Sequence, residues 1–257
     1  MADTSYRCPT GINKLDVLTS GGLPRACGLH LKGPSHSGKS ILSMQMLYTA
    51  LKRGEGCLYI SYGEPYSDIL ETFNSFGWDL EPFLNRGNMK ILDNATRIYG
   101  LDSSLKNLTE SVRKGIVITN PKDQDEYLEQ QIRVMEDVEA NSDRIGINVI
   151  DSINYRVRFL REVQWSSNEI TNYFQKIRIR IGGRFPVIGI HISTPISGEE
   201  SISQILDDVE KGTIEIKLED DDSSEMKRFL RIVGLPLTHH DRKWHEFRIT
   251  HNGIELM

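Results

Sequence analysis

The residues Gly33-Pro34-Ser35-His36-Ser37-Gly38-Lys39-Ser40 fit the pattern G-x-x-x-x-G-K-[ST], a glycine-rich loop that wraps phosphate groups. Gly28-Leu29-His30-Leu31-Lys32 before it reads as a short strand. Ile41, Leu42, Met44, Met46, Leu47 and Leu51 after it mark a helix with a broad apolar face. Strand, loop and helix in that order are the context the pattern requires. The glycines let successive backbone N–H groups face one anion, and the helix N-terminus adds partial positive charge. The backbone from Gly33 through Pro34, Ser35, His36, Ser37 and Gly38 to Ile41 is thus expected to surround the phosphates of a nucleoside triphosphate. Lys39 would reach the β- and γ-phosphates, and the Ser40 hydroxyl would bind Mg²⁺.

Composition narrows the setting. The chain has 257 residues, 38% of them hydrophobic and 26% charged, which suits one large α/β domain over 1–257. A net charge of −5 supplies no global basic field to draw in nucleic acid. Cys8, Cys27 and Cys57 form no C-x-x-C pair, so neither a zinc site nor a disulfide framework is indicated, and a reducing compartment is implied. Met1-Ala2-Asp3-Thr4 lacks the basic and apolar regions of a signal peptide, and no apolar run approaches the ~20 residues of a membrane span. The expectation is a soluble cytoplasmic protein without membrane insertion.

Outward from the loop, a short helix is expected around Leu15, with a Gly/Pro turn at Gly21-Gly22-Leu23-Pro24. Beyond the loop helix, Cys57–Tyr62 reads as a buried strand, 66–78 as a helix and Met89–Asp93 as a further strand. This alternation implies a mostly parallel, twisted sheet with helices on both faces. Residues 94–124 are polar and turn-rich, read as a surface excursion with a short strand at Ile116-Val117-Ile118. A helix is expected over Glu126–Glu139, another over 167–181, and a strand at Phe185–Ser193. From 211 to 257 the pattern turns to alternation, Thr213–Leu218 and Lys227–Val233 flanking the charged turn Glu219–Glu225, which predicts an antiparallel hairpin at the sheet edge.

Ile145-Gly146-Ile147-Asn148-Val149-Ile150-Asp151 is an apolar strand ending in a carboxylate. At that place Asp151 would sit beside the phosphate loop and hold Mg²⁺ through water. Arg156, Arg158 and Arg161, interleaved with Tyr155 and Phe159, form the best nucleic-acid candidate, with a solvated helix face or a subunit contact as the bland account. His191 and Ser193 lie near a strand end where ligands bind; either could sense a γ-phosphate, and a structural hydrogen bond is the simpler account of His191. Thr238 to His245 is dense in His and Asp but lacks the spacing of structural zinc.

Taken together, the chain resembles the KaiC-like branch of the RecA superfamily of ATPases over nearly its whole length. The resemblance rests on Thr10-Gly11-Ile12, Gly21-Gly22-Leu23-Pro24-Arg25, the phosphate loop, Tyr59-Ile60-Ser61-Tyr62 with Glu64, Phe76-Gly77-Trp78-Asp79-Leu80, the Asp151 strand, and Trp244-His245 with Phe247, Ile249-Thr250 and Gly253-Ile254. It implies a RecA-type core that binds ATP and Mg²⁺ and often forms rings, with ATP between neighbouring subunits. Two departures bear on mechanism. The resemblance implies two adjacent water-polarising glutamates, of which Glu64 alone remains, as the candidate catalytic base, beside Gly63. It also implies a Lys-x-Arg pair reaching a neighbour's γ-phosphate, whereas Gly234 and Pro236 stand there. Thr238 and His240 match positions that approach the nucleotide's sugar in the adjoining subunit.

The function so implied is an ATP- and Mg²⁺-binding switch or assembly factor with weak or partner-dependent hydrolysis, in a homo-oligomer (a hexameric ring, for instance) or a hetero-oligomer with a related subunit. A DNA-binding RecA/RadA-like recombinase paralogue in DNA repair is the alternative. A kinase is the third reading, and no phosphoacceptor marks it.

Overall fold

A computed structural model describes residues 6–98, 124–162, 164–196, 200–220 and 226–257. The chain opens with β1 (Arg7–Cys8), α1 (Asn13–Leu18) and β2 (Leu23–Pro24), followed by β3 (Gly28–Lys32) and α2 (Lys39–Lys52) on either side of the phosphate loop. Next come β4 (Gly56–Ser61), α3 (Tyr66–Ser75), α4 (Glu81–Arg86), β5 (Met89–Asp93) and α5 (Ala95–Ile98). The second half holds α6 (Gln124–Ala140), β6 (Ile145–Asp151), α7 (Ile153–Glu162), α8 (Ser167–Arg184), β7 (Ile188–Ser193) and α9 (Glu200–Val209). Four strands close the chain: β8 (Gly212–Asp220), β9 (Met226–Gly234), β10 (His245–Thr250) and β11 (Gly253–Leu256).

Nine strands form one sheet in the order β11-β10-β9-β8-β3-β7-β6-β4-β5. From β8 to β5 every neighbouring pair is parallel, and from β8 to β11 every pair is antiparallel. The inner parallel strands β4, β6 and β7 are buried on both faces, which is why they read as near-continuous apolar runs. Along β4, Cys57 and Tyr59 join the core packed against α2 and α3, while Leu58 and Ile60 join the core beneath α6, α7 and α8. The expected α/β class and the C-terminal antiparallel hairpin at the sheet edge are both present.

The helix expected over 66–78 ends at Ser75, because Gly77 turns left-handed at φ +70° and Phe76 folds back to stack on Trp78 at 4.8 Å. The two-residue strands β1 and β2 and the helix α4 carried no periodic signal long enough to read. Ile116-Val117-Ile118 and most of the 94–124 stretch lie outside the described residues. The tail is tied to the phosphate-loop helix: the Ile254 N–H donates to Gln45 Oε1 at 2.6 Å, and Gln45 Nε2 donates to the Ile254 carbonyl at 3.3 Å.

A buried charge cluster fastens the N-terminal segment to the start of β4. Glu55 accepts from Arg25 Nη2 at 2.6 Å and from Arg53 Nε at 3.3 Å, and the Cys8 thiol donates to it at 3.7 Å. Burial, then Glu55, pushes the Cys8 thiol up to about 11, so it stays a donor. Burial works to raise the Glu55 carboxyl, but the Arg25 hydrogen bond and the Arg53 charge outweigh it and hold it below the usual range. Its stabilisation is therefore present above the ordinary glutamate value and is lost as pH falls through the depressed one. Glu55→Gln leaves two guanidinium groups short of their counter-charge and is expected to cost about 3–5 kcal/mol in urea unfolding at neutral pH. A cost below about 1 kcal/mol would show the cluster to be dispensable.

Candidate functional site

The loop leaves β3 where β3 lies between β7 and β8. The Gly33 N–H donates to the Ser193 carbonyl at 3.4 Å, and a Cβ at Gly33 would stand 2.7 Å from the Ile216 carbonyl oxygen. Gly33 is thus demanded by the neighbouring strand as well as by any ligand. Gly38 takes φ +98° at the helix entrance, where a Cβ would lie 2.9 Å from Ile249 Cδ1, and His36 is left-handed at φ +61°. This curl turns the loop back over the first turn of α2.

Lys39 opens α2, and its Nζ donates to the carbonyls of Gly33 at 2.8 Å and Pro34 at 2.6 Å. Only 6% of the residue is exposed. Burial lowers its amine to about 8, against the attraction of Asp151. The Ser37 hydroxyl beside it is buried and, among the described residues, lacks a hydrogen-bond partner. A depressed ammonium and an orphaned hydroxyl inside a left-handed loop suit an anion with several acceptor oxygens.

Asp151 ends β6 in register with Ser61 of β4. Burial raises its carboxyl, while hydrogen bonds from Ser40 and Tyr59 and the Lys39 charge pull it down. The Tyr59 hydroxyl donates to Oδ2 at 2.9 Å. Sequence reading placed Asp151 and Ser40 together and missed the Tyr59 contact, although Tyr59 and Ser61 share one face of β4. Next to Asp151 opens a polar cleft of about 160 Å³ lined by Ser61, Gly63, Glu64, Ser152 and Tyr155. Glu64 stands at its mouth; the Glu64 N–H donates to Ser61 Oγ at 3.0 Å, and the Ser61 hydroxyl donates to the Glu64 carbonyl at 2.6 Å. Partial burial, then Asp151 and Asp68, raises the Glu64 carboxyl. The Tyr155 ring covers Gly63, with Cε2 2.9 Å from where a Cβ would be. The place of a second carboxylate is filled by an aromatic ring, which no local motif announced.

Beneath the loop, Ser193 Oγ lies 2.6 Å from His30 Nε2, and His30 Nδ1 lies 2.8 Å from Asp207, which also holds Lys32 at 2.9 Å. Burial pushes the His30 imidazole down, partly offset by Asp207. Ser193 is 1% exposed and His30 fully buried, so the chain of bonds binds α9 to the loop's base and offers no nucleophile to a substrate. His191 makes a structural bond, Nδ1 to Glu210 Oε1 at 2.6 Å.

The basic stretch departs from expectation. Arg156 is 2% exposed, its guanidinium 4.4 Å from the Tyr127 ring and 5.5 Å from that of Tyr173, with Nη2 donating to the Tyr173 hydroxyl at 3.1 Å. It is a core cation stacked among tyrosines and is not placed to meet nucleic-acid phosphate. Arg158 rests over Tyr155, with its guanidinium carbon 6.0 Å from the ring centroid.

Thr238 and His240 do not join the loop. β9 ends at Gly234 opposite Thr213, at the end of the parallel strands away from the loop. There Arg7 Nη1 donates to Thr238 Oγ1 at 2.6 Å, and His240 Nδ1 lies 2.9 Å from the Thr238 carbonyl. Within one chain, the phosphate loop and this pair face different ends of the sheet.

A mostly parallel sheet whose core strand runs into this loop, with a strand-end aspartate bonded to the loop serine, defines a P-loop fold of RecA type. A family model described as "ATPase: KaiC" matches residues 8–257, and the chain belongs to that family. A UPF0273 protein of Methanocaldococcus jannaschii is 28% identical over 256 residues, covering 96% of this chain and 95% of the relative. A circadian clock oscillator protein KaiC of Parathermosynechococcus lividus is 36% identical over 85 residues, 33% of this chain and 16% of that protein. Among solved structures, a KaiC-like protein of Pyrococcus horikoshii superposes with a TM-score of 0.73 at 24% identity, covering 98% of each chain, and shares the fold.

The lowered Lys39 amine has a consequence without ligand. Its buried charge opposes folding below about pH 8, and the opposition fades as pH rises from about 8 towards the ordinary 10.5, where the unfolded chain also loses the proton. Lys39→Met is expected to stabilise the nucleotide-free protein on the order of 1–3 kcal/mol at about pH 7, with the gain shrinking at about pH 10. Thermal unfolding at the two pH values checks this; a variant that melts lower at about pH 7 contradicts it.

Proposed function

We propose that this chain binds ATP with Mg²⁺ at residues 33–41 and acts as a nucleotide-dependent switch or assembly factor, with hydrolysis slow or dependent on a partner. The observation that carries the reading is the closed loop around Lys39, with an orphaned Ser37 hydroxyl and Asp151 bonded to Ser40. In this reading the backbone of Gly33, Pro34, Ser35, His36, Ser37, Gly38 and Ile41 holds the phosphates, and Lys39 exchanges two carbonyl acceptors for phosphate oxygens. Ser40 and Asp151 hold Mg²⁺, whose charge offsets that of the phosphates when it is bound. Glu64 is the water-orienting carboxylate.

Slow chemistry follows from what stands around it. Gly63 brings no second carboxylate, and the Tyr155 ring occupies that space. Gly234 and Pro236 supply no cation to a neighbour; where such a cation dominates, its loss is worth roughly 10³- to 10⁵-fold in rate. Thr238 and His240, at the far end of the sheet, would meet a nucleotide held by an adjacent copy or a related subunit. A contact between opposite ends is heterologous, and such contacts generate rings when the rotation closes.

Equilibrium ATP binding and steady-state turnover with Mg²⁺ test the reading. Lys39→Ala is expected to abolish binding, and Glu64→Gln to leave binding intact while lowering residual turnover about 100-fold or more. Unimpaired binding in Lys39→Ala, or unchanged turnover in Glu64→Gln, overturns the assigned roles.

The Gly63–Tyr155 contact makes a further prediction. Gly63→Glu alone is overpacked against the ring and is expected to add little activity. Gly63→Glu combined with Tyr155→Ala is expected to raise turnover by more than the two single effects together. Additive effects would show that the ring does not control the position.

A further inference from the structure

Strand β4 fixes Asp151 twice. The Tyr62 N–H donates to the Asp151 carbonyl at 2.8 Å, and the Tyr59 hydroxyl donates to Asp151 Oδ2 at 2.9 Å. The phenol is itself held by the core. Tyr59 lies between Ile91 of β5 and Val149 of β6, is 1% exposed, and meets the Phe73 ring edge-on with 6.4 Å between centroids. The ring alone would serve this packing. The hydroxyl is there for what it bonds, since a buried hydroxyl without an acceptor costs free energy. Burial, then Asp151, pushes the phenol well above its ordinary value, so it keeps its proton and stays a donor.

Three groups counter the cost of burying the Asp151 carboxyl: hydrogen bonds from Ser40 and Tyr59, and the charge of Lys39. In the nucleotide reading proposed above, Ser40 turns to Mg²⁺ and Lys39 to phosphate oxygens. Tyr59 is the member of the three that no ligand draws away, being enclosed by the core. Its bond occupies Oδ2 and opposes rotation of the carboxyl about Cβ–Cγ, so the protein sets the orientation of Asp151 before any ligand arrives. Outer partners of this kind orient the groups that hold a metal and tune its affinity.

We propose that Tyr59 is a positioning residue for the Mg²⁺ site: through Asp151 it fixes how the carboxylate faces the ion, and so how strongly Mg²⁺ supports ATP binding. This inference rests on the nucleotide reading and deepens it.

The affinity of the full chain for ATP, measured at equilibrium with Mg²⁺ and again with EDTA, gives the factor by which Mg²⁺ strengthens binding. Tyr59→Phe keeps the ring and is expected to reduce that factor about tenfold or more, with the affinity in EDTA unchanged. In an Asp151→Asn background the same change is expected to alter the factor no further, because the phenol acts through that carboxylate. A hydroxyl with a structural role alone would lower the melting temperature and leave the factor as in the unaltered chain. An undiminished factor in Tyr59→Phe overturns the inference and leaves the nucleotide site standing. So does a further loss in the Asp151→Asn background. ATP affinity that is equal with Mg²⁺ and with EDTA in the unaltered chain overturns both the inference and the Mg²⁺ site on which it rests.

Discussion

The crowding at Gly33 governs the rest of the molecule. A strand between two neighbours must end, and the chain must leave the sheet, so close to β8 that a Cβ at Gly33 would stand 2.7 Å from the Ile216 carbonyl oxygen. Only a residue without Cβ passes there, and its N–H is taken by Ser193 of β7. The loop therefore begins from a point held on both sides, and its curl is completed by Gly38 against Ile249 and by Lys39 bonding back to Gly33 and Pro34. The hairpin and the last strands are part of this enclosure. β8 supplies the wall at Gly33, β10 supplies Ile249, and β11 is anchored to α2 through Gln45. A tail that looks appended in sequence is structurally the outer rim of the loop's socket.

The two ends of the sheet carry different chemistry. At the C-terminal ends of the parallel strands, the Lys39 ammonium, the Asp151 and Glu64 carboxyls and the Tyr59 phenol lie together with their pKa values shifted by burial, as expected where charge is to be bound. At the other end, charges are spent in structure, as in the Glu55 cluster and the His191–Glu210 pair. Thr238 and His240 also lie at that end. A molecule so arranged completes a two-sided nucleotide site only by placing one copy's lower end against another's upper end, which ties assembly to nucleotide in the proposed reading.

Much of this was legible in the sequence, for a physical reason: a P-loop and a strand-end aspartate are local patterns whose backbone demands leave few alternatives. The β3-loop-α2 unit, the Asp151 strand, the hairpin and the structural bond of His191 follow from periodicity, glycine placement and strand ends. What escaped reading depends on contacts between distant segments. Arg156 looked like surface charge because α7 gives no hint that Tyr127 of α6 and Tyr173 of α8 will enclose it. Tyr155 over Gly63 joins two elements with no shared motif. The ending of α3 at Ser75 was missed because Phe76 has the right spacing for the helix, while the stacking on Trp78 takes it elsewhere.

The central claim is that residues 33–41 are a nucleotide site, and amide hydrogen exchange of the full chain with and without Mg²⁺-ATP tests it most directly. The account predicts that the amides from Gly33 to Ile41 become protected when Mg²⁺-ATP is added, and that the protection is lost in Asp151→Asn when Mg²⁺ is the only divalent ion. Exchange in this loop that stays unchanged at saturating Mg²⁺-ATP would contradict it.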